Sequence, residues 1–432
     1  MKCFLYPDIG RVDEALQLHM DGLEPKETVT ITMTMVNDVS GLWSSKMTTE
    51  ADVNGKLLIG DHGNNGKNIF TELIWGLRPA DSQTSKPMPA DDTQPITLHI
   101  DLESTISQRK EARTVTRLFK EDYVLEESIH AEEINGIFYY PQNKRKLPSI
   151  ILLGGLDGIA PNQTAALLAS HGYGVLSLDY LGQPNQQELL SEVPIEQVHQ
   201  AVDWLKHHPK ADKEKILIFG SSKGAELALL AASKNKDIKG VIAYSPSQYV
   251  FQGLDLKRKK SSWSEQEKEV PYVPFSYTIG DFLKIIKSRF SKVEIDFSNI
   301  YKRSIEKYEQ KDNRAAEIPV ERIGGPILFV SGDEDALWPS VQMTEQMLNR
   351  LQKHSFPFDI KHLTYKQAGH ILVQPYLPSL PENGETASYG GTPMENAISG
   401  ESAWKETLKF IKEHFPPARI PTESIPFQVS GR

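Results

Sequence analysis

The stretch Lys215-Ile216-Leu217-Ile218-Phe219-Gly220-Ser221-Ser222-Lys223-Gly224-Ala225-Glu226-Leu227 decides the fold. After Lys215, Ile216 to Phe219 form an apolar run of the kind that fills a strand buried on both faces. Lys223 to Ser233 is rich in alanine and leucine and reads as a helix. Between them, Gly220 to Gly224 fits G-x-S-x-G with Ser222 at its centre. On its own the pattern is common, but strand–turn–helix is the setting that a nucleophile elbow requires. Glycines at both ends allow a tight turn and close backbone approach.

Working outward, the same rhythm continues. Gly136–Tyr140, Ser149–Leu153, Gly174–Asp179, Gly240–Tyr244, Pro326–Val330 and Asp359–Thr364 read as strands. Gln163–His171, Ile195–His207, Val341–Lys353 and Glu401–His414 read as helices. Alternation of this length implies a mostly parallel, doubly wound α/β sheet. The first 125 residues differ. Val29–Val36, Leu42–Thr49, Lys56–Ile59 and Pro95–Leu102 read as short strands, with Asn54-Gly55 as turn chemistry, which predicts a β-sandwich. The reading therefore divides the chain into a β-sandwich domain at 1–125 and an α/β catalytic domain at 126–432. The irregular stretch at about 251–317, with a possible helix at Asp281–Phe290, reads as a cap beside the site. Pro79–Gln94 reads as a loop and Pro416–Arg432 as an extended tail.

A serine hydroxyl needs a base, and the base needs an orienting group. In an elbow fold these follow in the order Ser, Asp or Glu, then His. The strand Pro326–Val330 runs into Gly332-Asp333-Glu334-Asp335, from which Asp335 is taken as the orienting acid and Asp333 as the runner-up. After Ser222 the histidines are His354, His362, His370 and His414. His370, on the loop past the last strand, stands where the imidazole must be delivered. The oxyanion needs backbone N–H donors. Lys223, after the nucleophile, is one; Leu156 or Gly155, in Gly154-Gly155-Leu156-Asp157-Gly158, is the other. Lys223 is expected to act through its backbone, not its amine.

Composition narrows the rest. Of 432 residues, 39% are hydrophobic and 24% charged, enough apolar content for a sizeable core. A net charge of −9 argues against nucleic acid and against anionic membrane as partners. No apolar run reaches the ~18 residues of a membrane span. Pro7 and Asp8 come too early for a signal peptide, and the single Cys3 fits a reducing compartment, so a cytoplasmic protein is expected. No metal motif, P-loop or dinucleotide motif occurs, and no cofactor is expected. The basic run Lys257 to Lys260 reads as a solvated face. Oligomeric state is not legible.

These residues together resemble the acyl-CoA thioester hydrolase and bile acid-CoA:amino acid N-acyltransferase family. The carriers are Gly22-Leu23-Glu24-Pro25, the elbow Gly220 to Leu227, Asp335-Ala336-Leu337-Trp338, Gly369-His370 with Pro375-Tyr376, and Tyr389 to Pro393 with Trp404. The resemblance implies a β-sandwich followed by an α/β-hydrolase domain, with Ser222 as nucleophile, His370 as base and Asp335 as orienter. It implies an acyl-CoA substrate cleaved to acid and CoA. Where the family carries several glycines after the first hydrolase strand, this chain has Leu156 and Asp157. Serine at 222 favours hydrolysis over transfer to an amine. The competing readings are a carboxylesterase or peptidase of the same fold, an N-acyltransferase, and a non-catalytic interaction module.

Overall fold

The computed structural model describes residues 3–37, 41–60, 69–79, 93–130, 134–142, 145–182, 186–255, 258–291, 294–311, 314–372 and 387–417. The loop expected at Pro79–Gln94, the tail beyond residue 417, Lys257, and Pro375-Tyr376 fall wholly or mostly outside these ranges.

Eight strands form the larger sheet, numbered within it as β1 (Val124–His130), β2 (Asn135–Pro141), β3 (Leu147–Leu153), β4 (Gly174–Asp179), β5 (Ala211–Ser221), β6 (Ile238–Tyr244), β7 (Ile327–Gly332) and β8 (Ile360–Tyr365). Their spatial order is β1-β2-β4-β3-β5-β6-β7-β8. β2 runs antiparallel to both β1 and β4; from β4 to β8 every pairing is parallel. Every residue of β3 and β7 is buried, because helices cover both faces. One apolar layer packs the helices Glu196–His207, Lys223–Lys234 and Ser340–Lys353 on the sheet. The opposite layer packs Asn162–Ser170 and Pro393–His414. This is the α/β-hydrolase arrangement.

Most expected strands and helices match observed ones to within a few residues at each end; Pro95, Pro326, Asp359, Ile195 and His171 fall just outside the elements expected to include them. The last helix differs most. It starts at Pro393, two turns before the expected Glu401, because Thr392 caps it by accepting the Glu395 N–H and proline occupies its first turn.

Before the larger sheet come two smaller ones. Thr28–Asn37 and Gly41–Glu50 form an antiparallel pair within a six-stranded sheet. Val29, Ile31, Met33 and Met35 point inward while the threonines between them alternate outward, as the period of two requires. They pack against Leu18, Met20, Leu57 and Ile59 of a three-stranded sheet and against the short helix Ile69–Trp75. Trp404 of the last helix donates its indole N–H to Asp13, which also meets His171. That carboxylate joins the N-terminal segment to the larger sheet's helices.

Between β6 and β7 the chain leaves the sheet. There Trp263–Glu265 pairs with Val193–Pro194, and the helices Ile279–Ser291 and Ser298–Glu309 follow. Tyr249, Phe251, Tyr301 and Trp338 pack into an aromatic cluster at this edge.

Candidate active site

Three loops meet at the carboxyl ends of the parallel strands, the usual place for a site in such a sheet. β5 delivers Ser222, β7 delivers Asp335 and β8 delivers His370.

Ser222 sits at φ 55° and ψ −120°, a conformation that costs about 1–3 kcal/mol and persists only where the surroundings enforce it. They do so through two glycines. A Cβ on Gly220 would lie 2.1 Å from the Gly224 carbonyl oxygen, and one on Gly224 would lie 2.0 Å from that of Gly154. No side chain fits at either position, so the strand and helix close tightly and the serine is pushed out above the sheet. The Ser222 N–H donates to the Tyr244 carbonyl at 2.9 Å, which fixes the turn to β6.

His370 Nε2 lies 2.8 Å from Ser222 Oγ. Its Nδ1 lies 3.0 and 2.9 Å from the two oxygens of Asp335. An ionised carboxylate only accepts, so Nδ1 carries the proton and Nε2 is left to accept from the serine hydroxyl. Of the three acids in the β7 turn, Asp335 is therefore the one that meets the imidazole. Asp333 instead accepts the Gln367 N–H at 2.6 Å. Asp335 is itself held by the N–H groups of Leu337 and Trp338, at 3.0 and 3.1 Å from Oδ1.

The histidine loop is clamped by residues that the sequence reading did not single out for this purpose. Its N–H donates to the Tyr389 carbonyl at 2.7 Å, and its carbonyl accepts from Ser245 Oγ. The Trp338 ring meets the imidazole edge-on, with centroids 5.4 Å apart, and donates its indole N–H to the Ser245 carbonyl. His370 and Asp335 are both buried, which shields their contact from water.

Gly155 packs against the nucleophile: a Cβ there would stand 4.0 Å from that of Ser222. The hydroxyl of the buried Tyr180 donates to the carbonyls of Gly154 and Gly155. In a trans peptide the C=O and the next N–H point in opposite directions. Pinning the Gly155 carbonyl on Tyr180 thus aims the Leu156 N–H away from it.

The Lys223 amine pairs with Glu226, three residues on along the same helix. Nζ donates to Glu226 Oε1 at 2.7 Å and lies 5.6 Å from the Trp263 ring centroid. Trp263 and the Phe251 N–H donate to the same oxygen. Burial pulls the lysine down from its ordinary pKa and pushes the glutamate up, while each opposes the shift of the other. The pair ties the helix behind Ser222 to the excursion between β6 and β7. Lys223→Met keeps the backbone N–H but strands a buried carboxylate, so it is expected to cost about 3–5 kcal/mol in urea denaturation. The double change K223M/E226L is expected to recover part of that loss.

An apolar cavity of about 60 Å³ lies beside the elbow, lined by Leu153, Phe219, Ser221, Tyr244 and Leu372 among others. A larger, polar one of about 640 Å³, with Arg314, Arg350 and Lys353 in its lining, contains none of Ser222, Asp335 and His370. Among the described residues no cluster of His, Cys, Asp or Glu forms a metal-binding group. No described helix is long and apolar enough to cross a membrane.

Curated relatives align over nearly the whole chain. An acyl-coenzyme A amino acid N-acyltransferase of Mus musculus is 26% identical, over 96% of this chain and 98% of its own. A peroxisomal succinyl-coenzyme A thioesterase of Mus musculus is 25% identical, over 93% and 94%. An acyl-coenzyme A thioesterase of Homo sapiens is 24% identical, over 93% and 94%. Among solved structures, a dienelactone hydrolase-like promiscuous phosphotriesterase from metagenomic libraries aligns at TM-score 0.42 and 12% identity, covering 68% of this chain and 99% of its own. The N-terminal region model of the acyl-CoA thioester hydrolase/BAAT family matches residues 13–131. Its C-terminal model matches residues 193–417, more than half of the 432 and the part that carries Ser222, Asp335 and His370. With both regions matched in order on a sheet of this topology, the chain is an enzyme of α/β-hydrolase fold that belongs to the acyl-CoA thioester hydrolase/BAAT family.

Proposed function

We propose that this enzyme cleaves the thioester of an acyl-CoA to a carboxylic acid and CoA, through an acyl-enzyme on Ser222. The observation that carries the reading is the continuous path Asp335–His370–Ser222, with the imidazole nitrogen 2.8 Å from the serine oxygen.

His370 Nε2 takes the Ser222 proton as Oγ attacks the thioester carbonyl. Asp335 holds Nδ1–H and offsets the positive charge that forms on the ring. The oxyanion is received by the backbone N–H of Lys223 and by that of Leu156 or Gly155, whose peptide groups Tyr180 holds through the Gly155 and Gly154 carbonyls. As the C–S bond breaks, the CoA sulfur leaves and takes the proton from His370. A water then gives its proton to Nε2 and attacks the acyl carbon. The ester C–O bond breaks, Ser222 regains its proton, and the acid leaves. No cofactor enters these steps. The apolar lining near Ser221 supports a hydrocarbon acyl part.

Two domains divide the work in this reading. Residues 126–432 carry the chemistry, with 251–317 as a cap, and 1–125 brace the last helix through Asp13. A cytoplasmic setting belongs to the same proposal; it rests on the lone Cys3 and is read by cell fractionation.

The test of the acyl donor is turnover of an acyl-CoA and a p-nitrophenyl ester of the same acyl chain. The thioester is expected to have the higher kcat/KM. An oxygen ester turned over equally well or better would make the protein a carboxylesterase. The N-acyltransferase reading is the second one, favoured by the 26% identical relative of Mus musculus, an acyl-coenzyme A amino acid N-acyltransferase.

A further inference from the structure

The helix Ile279–Ser291 shows an apolar stripe on the side opposite to its own packing face. Ile279, Phe282, Leu283, Ile286 and Phe290 are 82, 52, 62, 55 and 87% exposed. At 100° per residue these five fall within about 100° of one another around the axis. Ser288, buried, falls on the opposite side. A globular protein normally turns such a stripe toward its core. A contiguous outward stripe of five large apolar side chains marks a surface made to be covered.

The charge around the stripe says what covers it. Lys284 and Lys287 are exposed on the same helix. From 284 to 292 the sequence carries Lys284, Lys287, Arg289 and Lys292 and no acid. The helix's one acid, Asp281, is engaged by Arg303 and the Thr278 hydroxyl. Around the axis Lys287 falls about 40° from Leu283 and Arg289 about 20° from Phe282, so the outward apolar stripe is flanked by basic positions, the pattern of a helix that lies in the plane of a lipid interface. The charge of −9 belongs to the whole chain, whereas attraction to a surface is felt within about 10 Å of it.

The helix also stands at the site. An aromatic path runs from Phe282 through Tyr277, Phe275, Tyr301 and Trp338 to His370. Just past the helix, the N–H groups of Phe297 and Ser298 donate to the carbonyl of Ala336, beside Asp335. Ile295 accepts from Ser388, beside Tyr389. The segment that follows the helix is thus braced on both loops that hold the acid and the base.

We propose that Ile279–Ser291 is an interfacial docking helix that sets this edge of the enzyme on an anionic lipid surface. In that position the site faces acyl compounds that partition into a bilayer. The docking does not depend on the thioesterase reading.

The test is co-sedimentation of the full chain with vesicles of three parts phosphatidylcholine to one part phosphatidylglycerol, and with pure phosphatidylcholine. Wild type is expected to bind the mixed vesicles, less well in high salt. I286S/F290S, which alters only exposed side chains, is expected to bind about tenfold or more weakly. K284E/K287E is expected to lose the preference for the anionic vesicles. Ser222→Ala is expected to bind like wild type, which separates this result from any failure of the hydrolase reading. Absence of wild-type binding at millimolar lipid, or equal binding by I286S/F290S, would overturn the proposal. So would a dimer in solution that I286S/F290S converts to monomer, since the stripe would then be covered by a second copy.

Discussion

Ser222→Ala is expected to lower the turnover of acyl-CoA by about 10⁴- to 10⁶-fold, with little change in KM. The hydroxyl is the only atom group in the path that forms a bond to the acyl carbon. Without it, His370 and the oxyanion donors stay in place and direct water at a slow residual rate. The change removes one exposed-edge oxygen and leaves the turn intact, because Gly220 and Gly224 set the turn geometry. Circular dichroism and the urea midpoint are therefore expected to stay within error of wild type. Free-thiol release under single-turnover conditions reads the loss. A variant that retains more than a tenth of the activity would remove Ser222 from the chemistry.

Asp335→Asn is expected to cost about 10³- to 10⁴-fold in kcat. Its Oδ1 accepts from Leu337 and Trp338, so an asparagine would keep its oxygen on those donors and turn its NH₂ toward His370. Nδ1 must then accept, the proton moves to Nε2, and the imidazole faces Ser222 as a donor. The wrong tautomer cannot take the serine proton. Asp333→Asn is expected to stay within about twofold, because Asp333 caps Gln367 on the outside of the same turn. Measured side by side, the two variants separate the orienting acid from its neighbour. Equal losses would mean that the turn, and not the imidazole contact, sets the rate.

The fold was legible where burial is two-sided. β3, β5, β6 and β7 announce themselves as apolar runs because both of their faces are covered. β1, with Glu126 and Glu127 exposed, gives no such run and was not expected as a strand. The strand Lys110–Leu118 was missed for the same reason, its KEARTVTRL having only a weak alternation. The last helix begins eight residues before the expected Glu401, and Gly400, a poor helix former by itself, is buried within it among packed neighbours. Near the site, the elbow and its glycines carry a local signature. Tyr180 does not: its hydroxyl acts on carbonyls 25 and 26 residues away. The Lys223–Glu226–Trp263 cluster likewise needs a partner 37 residues beyond Glu226. Such long-range contacts leave no periodic trace, yet they hold the loops on which the chemistry depends.

The most direct test of the account is product analysis from a panel of acyl-CoAs, short to long, with and without glycine and taurine. The account predicts release of CoA thiol with a stoichiometric free acid, unchanged by the amino acids and absent in Ser222→Ala. Acyl-glycine or acyl-taurine in place of the acid would make the enzyme a transferase. No thiol release, from a protein whose Ser222 still labels with a fluorophosphonate, would contradict the choice of acyl-CoA.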